Sequence, residues 1–228
     1  VNLCFALSSQ LAGAIGAPET LFYFDYFARK DYGEDYADWL LNPNATDEQK
    51  KKAKEIENHL QSIVYAINQP AAARGYQSIF CNWAVFDKEY FHAIFKDFIF
   101  PDFSSPNWKS LEKFQRFFLK WFNKERTKAL LTFPVVTASI LTENGKPKDE
   151  EFARFLANEF SEGNSFFLFM DDNPQAISSC CRLKNEVTDT TFSTSSGAGG
   201  VSTGSINVIT ININRLVQNA TKNCSGSL

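Results

Sequence analysis

Thr132-Phe133-Pro134-Val135-Val136-Thr137-Ala138-Ser139-Ile140-Leu141 is β-branched and apolar, and reads as a strand. Asn144-Gly145 turns the chain after it, Asp149 to Phe160 has a helical pattern, and Ser165 to Met170 is strand-like again. Upstream, the alternation of Ile79, Cys81, Trp83 and Val85 predicts a strand within Arg74 to Asp87. Helical patterns from Lys88 to Phe98 and from Ser110 to Leu131 separate it from the strand quoted first; Leu111, Phe114, Phe118, Trp121 and Phe122 mark the second. Strands alternating with helices predict an α/β fold with crossover connections and at least partly parallel pairing.

Toward the N-terminus, Leu21 to Leu41 reads as one aromatic-rich helix with Pro18 near its start, ended by Asn42-Pro43-Asn44. Thr46 caps a second helix from Asp47 to Ile67, whose stripe Ile56, Leu60, Ile63, Val64 and Ile67 falls at helical spacing. Gln69-Pro70 closes it. The run Lys50-Lys51-Lys52 with Lys54 lies on its outer face and reads as solvated surface. Toward the C-terminus, Ser205 to Ile213 is strand-like, and Thr190 to Gly204 is a low-complexity connector rich in Ser, Thr and Gly. There is no internal repeat.

The 228 residues can bury a good core, and 23 Phe against a single Met make ring packing its main material. A net charge of −3 excludes the basic profile of a nucleic-acid coat, so no nucleic acid is expected as partner. No apolar run reaches membrane-spanning length, and Val1-Asn2-Leu3-Cys4 does not open a signal peptide, so no membrane is expected either. Five cysteines without framework spacing point to a reducing compartment, hence the cytoplasm, and the sequons at Asn44 and Asn219 then carry no weight.

His59 and His92, the only histidines, are too few for a catalytic triad or a histidine metal site, and without a CxxC pair no structural zinc is expected. No metal ligand is assigned. Gly197-Ala198-Gly199-Gly200 lacks the Gly-Lys-Ser/Thr ending of a phosphate loop and reads as a connector. The informative cysteines are Cys180 and Cys181, in Ser178-Ser179-Cys180-Cys181-Arg182-Leu183, on a loop expected between two buried strands. Adjacent cysteines rarely bridge each other. They are either two small apolar residues at a strand end or sulfur chemistry in a cavity. A nucleophilic thiolate wants a base nearby and finds only Arg182, whereas a thiol that loses a hydrogen atom needs only an enclosed cavity and a radical source. Cys81, by its alternation, reads as a small buried residue.

Three blocks, in order, resemble the anaerobic, class III ribonucleotide reductases, a branch of the glycyl radical enzymes. Arg74-Gly75-Tyr76-Gln77-Ser78-Ile79-Phe80-Cys81-Asn82-Trp83 looks like the first barrel strand, and Ser179-Cys180-Cys181-Arg182-Leu183 like the finger loop. Ser202-Thr203-Gly204-Ser205-Ile206-Asn207-Val208-Ile209-Thr210-Ile211-Asn212 is similar to a Thr-Gly-Ser-Ile run of that family, although Asn207 stands where glycine is usual. The resemblance implies part of a ten-stranded α/β barrel, of ribonucleotide reductase type, with a central finger loop. Residues 1–223 would be a partial catalytic barrel domain and 224–228 a tail or a junction.

What the resemblance implies is radical chemistry on a ribonucleoside triphosphate. A glycyl radical on a segment not in this chain, made by an activating iron–sulfur/S-adenosylmethionine protein, converts Cys181 to a thiyl. Cys180 is its neighbour and Cys81 a second reducing thiol. Asn82, Ser205, Gln77 and Ser78 are the expected substrate contacts. ATP or dNTP effectors, the remaining part of the reductase and a homodimer of the complete enzyme also follow from it. The chain carries no Arg-Val-x-Gly-Tyr radical motif, which fits a central fragment that is inactive alone; Asn223-Cys224 also suits the start of an intervening protein. Two other readings stand beside this one: a formate-lyase-type glycyl radical enzyme, and a non-catalytic module that binds a nucleotide or a partner.

Overall fold

A computed structural model describes residues 2–8, 10, 15–70, 77–95, 97–174, 176–178, 184–186 and 211–224, without the side chains of 176–178, 184–186 and 222–224. The chain opens with α1 (Asn2–Ser8), a two-residue strand β1 (Ile15–Gly16), α2 (Thr20–Tyr32) and α3 (Tyr36–Leu40). The long helix α4 (Asp47–Asn68) leads to β2 (Cys81–Phe86), then α5 (Lys88–Ile94) and α6 (Trp108–Arg126). A hairpin of β3 (Val135–Glu143) and β4 (Lys146–Pro147) follows, with α7 (Glu150–Ser161), β5 (Phe167–Asp171), a small hairpin of β6 (Ala176–Ser178) and β7 (Lys184–Glu186), and α8 (Ile213–Cys224). No helix among the described residues is long and apolar enough to cross a membrane.

The four strands β1, β2, β3 and β5 are parallel and lie side by side in chain order, while β4 turns back on β3. Helices meet β2 on both sides of its pleat: Trp83 packs against Phe118 of α6, while Phe86, which leaves from the opposite side, packs against Phe22 of α2. The mixed α/β class expected from the sequence is observed.

Local chemistry fixes most boundaries. Thr46 Oγ1 accepts the Gln49 N–H at 3.2 Å and Gln49 Oε1 accepts the Thr46 N–H at 2.9 Å, a capping box that starts α4. Asn107 and Asp149 cap α6 and α7 through their side-chain oxygens alone, which accept the N–H groups of Ser110 and Phe152. Asn144 and Gly145 have φ of 52° and 74°, the left-handed pair that a two-residue β3–β4 hairpin needs. In the core Phe22 of α2 meets Phe86, Phe91, Phe95 and Phe98 with centroid separations from 4.6 to 6.0 Å. Buried Asp25 ties α2 to its neighbours: it accepts from Tyr36 Oη at 2.8 Å, from Ser110 Oγ, and from Arg29 Nε at 3.0 Å.

Several expectations are corrected. The single helix from Leu21 to Leu41 is two, because Gly33 has φ of 99° and terminates α2 by donating its N–H to the Arg29 carbonyl. The helices expected from Lys88 to Phe98 and Ser110 to Leu131 are α5 and α6, the first shorter and the second shifted toward the N-terminus. The strand within Arg74 to Asp87 is β2, buried at all six positions rather than on alternate ones, as a central parallel strand should be. It is not the first strand either, since β1 pairs on its other side. The strand expected at Ser165 to Met170, one of the two taken as buried around the cysteine loop, is β5, which pairs with β3 and leaves Leu168 and Met170 43% and 47% exposed. Ile213, assigned to the last strand-like run, instead opens α8. Residues 205–210 and the finger loop around Cys180 and Cys181 lie outside the described residues.

Candidate active site

β2 carries the block on which the site was expected, and the surrounding elements hold it at both ends. At its start Asn68, the last residue of α4, acts as a clamp. Its Oδ1 accepts the N–H groups of Thr132 and Phe133 at 2.9 and 3.0 Å, and its Nδ2 donates to the carbonyls of Val64 and Phe133. Ser78 Oγ donates to the Asn68 carbonyl at 2.7 Å, so this hydroxyl anchors the approach to β2. Gln77 sits beside it and is exposed.

The far end of β2 is braced by side chains. β1 supplies partners only as far as Asn82, whose carbonyl accepts the Ala17 N–H at 2.9 Å. Beyond it, Gln115 of α6 replaces the missing strand: Oε1 accepts the Phe86 N–H at 2.8 Å and Nε2 donates to the Phe86 carbonyl at 3.1 Å. Asp87 follows, fully buried, and accepts the Tyr90 N–H at 2.6 Å and the Leu141 N–H at 2.8 Å. Burial pushes its carboxyl up to about 6, against the two N–H groups that lower it, and Asp149 and Glu89 add to the rise.

Between these braces the pleat sorts the side chains. Trp83 meets the Phe118 ring of α6 at 5.6 Å, so Cys81, Trp83 and Val85 share the face turned to that helix. Asn82 and Ala84 leave the strand on the other side. The register pairs Asn82 with Val135 and Ala84 with Thr137, which puts Thr137 and Ser139 of β3 on the Asn82 face. Asn82, Thr137 and Ser139 are 1–2% exposed. Asn82 Nδ2 donates to Thr137 Oγ1 at 3.0 Å. One face of the β2–β3 pair is therefore apolar, and the other carries buried Asn82, Thr137 and Ser139 beside Phe86, the register partner of Ser139. Cys81, 2% exposed, belongs to the first and Asn82 to the second.

A family model described as anaerobic ribonucleoside-triphosphate reductase matches residues 1–226. The chain belongs to that reductase family. Among solved structures, the anaerobic ribonucleotide reductase from Thermotoga maritima in complex with dATP and CTP is 29% identical with a TM-score of 0.64, covering 81% of this chain and 29% of that one. The same reductase with glycerol in the active site is 30% identical with a TM-score of 0.65, covering 82% of this chain and 30% of that one. With citrate in the active site the figures are 29%, 0.63, 75% and 29%. The chain thus spans about three-tenths of the length of these reductases. No curated protein sequence matches it.

Of the expected site residues, the structure brings Cys81 and Asn82 together on one strand and Gln77 and Ser78 on its approach. Cys180, Cys181 and Ser205 lie outside the described residues. Thr137 and Ser139 were read only as parts of a β-branched strand. The signal that singles them out is a hydroxyl pair at alternate positions of an otherwise apolar central strand, where polar side chains are costly unless they are used.

Proposed function

We propose that this chain is the central, substrate-facing segment of an anaerobic ribonucleotide reductase, which converts ribonucleoside triphosphates to deoxyribonucleotides. The reductase-family match over nearly the whole chain carries this reading. The buried polar row of Asn82, Thr137 and Ser139 supports it, because a face of hydrogen-bonding side chains shielded from water suits a sugar rather than a core. In the complete enzyme the glycyl radical comes from another segment, generated by the activating protein, and supplies the unpaired electron. The Cys181 thiyl takes the hydrogen from the ribose 3′ carbon, the 2′ hydroxyl leaves as water with one added proton, formate or a dithiol supplies two electrons while a second proton is added at the 2′ carbon, and Cys181 returns its hydrogen to the 3′ carbon. Exclusion of water protects such a radical from side reactions.

Roles follow from position. Asn82 points into the polar face and is the residue of β2 that hydrogen-bonds the ribose. Ser78 has its hydroxyl proton engaged with Asn68, and its contribution is to place the strand. Gln77 and Ser205 are assigned to the substrate's polar groups, and Cys180 to partnering Cys181. Cys81 leaves the strand on the side of Trp83 and Phe118, and this argues for packing and against a second reducing thiol. Effector nucleotides, a homodimer and a cytoplasmic setting belong to the same reading.

Binding tests it. In the complete reductase that carries this segment, Asn82→Ala is expected to weaken CTP binding about tenfold or more by calorimetry, the loss of one buried hydrogen bond. Unchanged CTP affinity, or saturable binding of pyruvate in its place, would remove the reductase reading of this strand and favour the formate-lyase type.

A further inference from the structure

β5 leads into the β6–β7 hairpin, and the residues just past its end are held by side chains of other elements. We propose that Thr142 and Tyr90 are positioning residues for the reaction, fixing the root of that hairpin and through it the approach of the Cys181 thiol. This rests on the reading above that Cys181 is the radical thiol, and it names what aims that thiol.

The hairpin register sets the lever. Ser178 pairs with Lys184 as the last pair of β6 and β7, so residues 179–183 join the two strands. Cys181 is the middle one of those five. β5 ends at Asp171, paired with Leu141 of β3, and β6 begins five residues later at Ala176, close to β3 again. At about 3.3 Å per residue each hairpin strand is about 10 Å long, so a tilt of about 10° at the root displaces the far end by roughly 2 Å. A misplacement of about 1 Å between reacting atoms costs on the order of a hundredfold in rate.

The root is pinned residue by residue. Asp171 Oδ1 accepts the Asn173 N–H at 2.8 Å, which bends the chain out of β5. Thr142 of β3, 6% exposed, donates its hydroxyl to Asp172 Oδ1. Tyr90 of α5, fully buried, donates from Oη to the Asn173 carbonyl at 3.5 Å. Burial pushes the Tyr90 phenol up, with Asp171 and Asp87 adding to the rise, so the hydroxyl keeps its proton. Asp87 in turn places Tyr90, because its carboxylate accepts the N–H groups of both Tyr90 and Leu141. β3 and α5 thus both hold the short stretch from which the hairpin departs.

The experiment is turnover by the complete, activated reductase carrying this segment, with CTP and with CTP deuterated at the 3′ carbon. Thr142→Val keeps the shape of the side chain and removes the donor. It should lower kcat about tenfold or more, raise the deuterium isotope effect and leave CTP affinity by calorimetry unchanged, and Thr142→Ser should restore the rate. Asp172→Ala, at an exposed residue, should lower kcat by a similar factor, and the double variant should fall no further. Tyr90→Phe, which keeps the ring, should act in the same direction. A purely structural role would lower the melting temperature and leave kcat and the isotope effect as in wild type. The proposal is overturned by wild-type kcat in either Thr142→Val or Asp172→Ala, by a loss that Thr142→Ser does not restore, or by weakened CTP binding at unchanged kcat. If Cys181→Ala abolishes turnover while these variants are silent, the positioning role falls and the radical reading stands. If Cys181→Ala still forms dCTP, that reading falls and the positioning role with it.

Discussion

Asp87 and Gln115 are side chains doing the work of backbone. Gln115 stands in for a strand, and replacing it by leucine strands the N–H and carbonyl of Phe86 in the core. Each unpaired group costs about 1–3 kcal/mol, so Gln115→Leu is expected to lower stability by about 2–5 kcal/mol in a denaturant titration. Asp87 has its carboxyl raised from an ordinary value of 3.8 to about 6. A raised acid favours the folded state in its protonated form, so its contribution is complete below about pH 4 and lost as pH rises through 6. Unfolding midpoints measured at pH 5 and pH 7.5 should therefore differ more in wild type than in Asp87→Asn, with wild type gaining on the acid side. Glu125 carries the opposite sign. Burial raises it, but hydrogen bonds from Lys128, Gln61 and Tyr65 outweigh that and hold it below its usual range, so its contribution is lost on acidification.

Elements were legible where their ends carry chemistry. Thr46 announces α4 through its capping box, and Thr46→Ala is expected to cost about 1 kcal/mol by urea denaturation. Asn144-Gly145 announces the hairpin for the same kind of reason. Gly33 was overlooked because an isolated glycine inside an aromatic helical pattern is usually tolerated, whereas here it adopts φ of 99°. Gly33→Ala would place a Cβ 3.1 Å from Asp35 Oδ1 in a conformation that L residues resist, and should cost about 1–2 kcal/mol in the same assay. β1 escapes any pattern, having two residues. β2 showed its apolar face at Ile79, Cys81, Trp83 and Val85, while the use of its other face was invisible until β3 supplied Thr137 opposite Ala84. Half of the site is thus a property of register, and no single strand contains it.

At the scale of the molecule, strand order is what links fold to chemistry. Four parallel strands lie side by side in chain order, and their register brings residues of three of them onto one face. On that face lie Gly16, Asn82, Thr137 and Ser139, contributed by three strands and 123 residues apart at the extremes, from Gly16 to Ser139. The aromatic layer of Phe22, Phe86, Phe91 and Phe95 packs α2 and α5 against the end of β2. In the proposed function this wall of strands faces the substrate and Cys181 is the radical thiol. The most direct measurement is therefore turnover of CTP by the complete, activated reductase in which Cys181 is replaced by alanine. The glycyl radical signal should still form by electron paramagnetic resonance while no dCTP appears; dCTP formed at the wild-type rate would contradict the account.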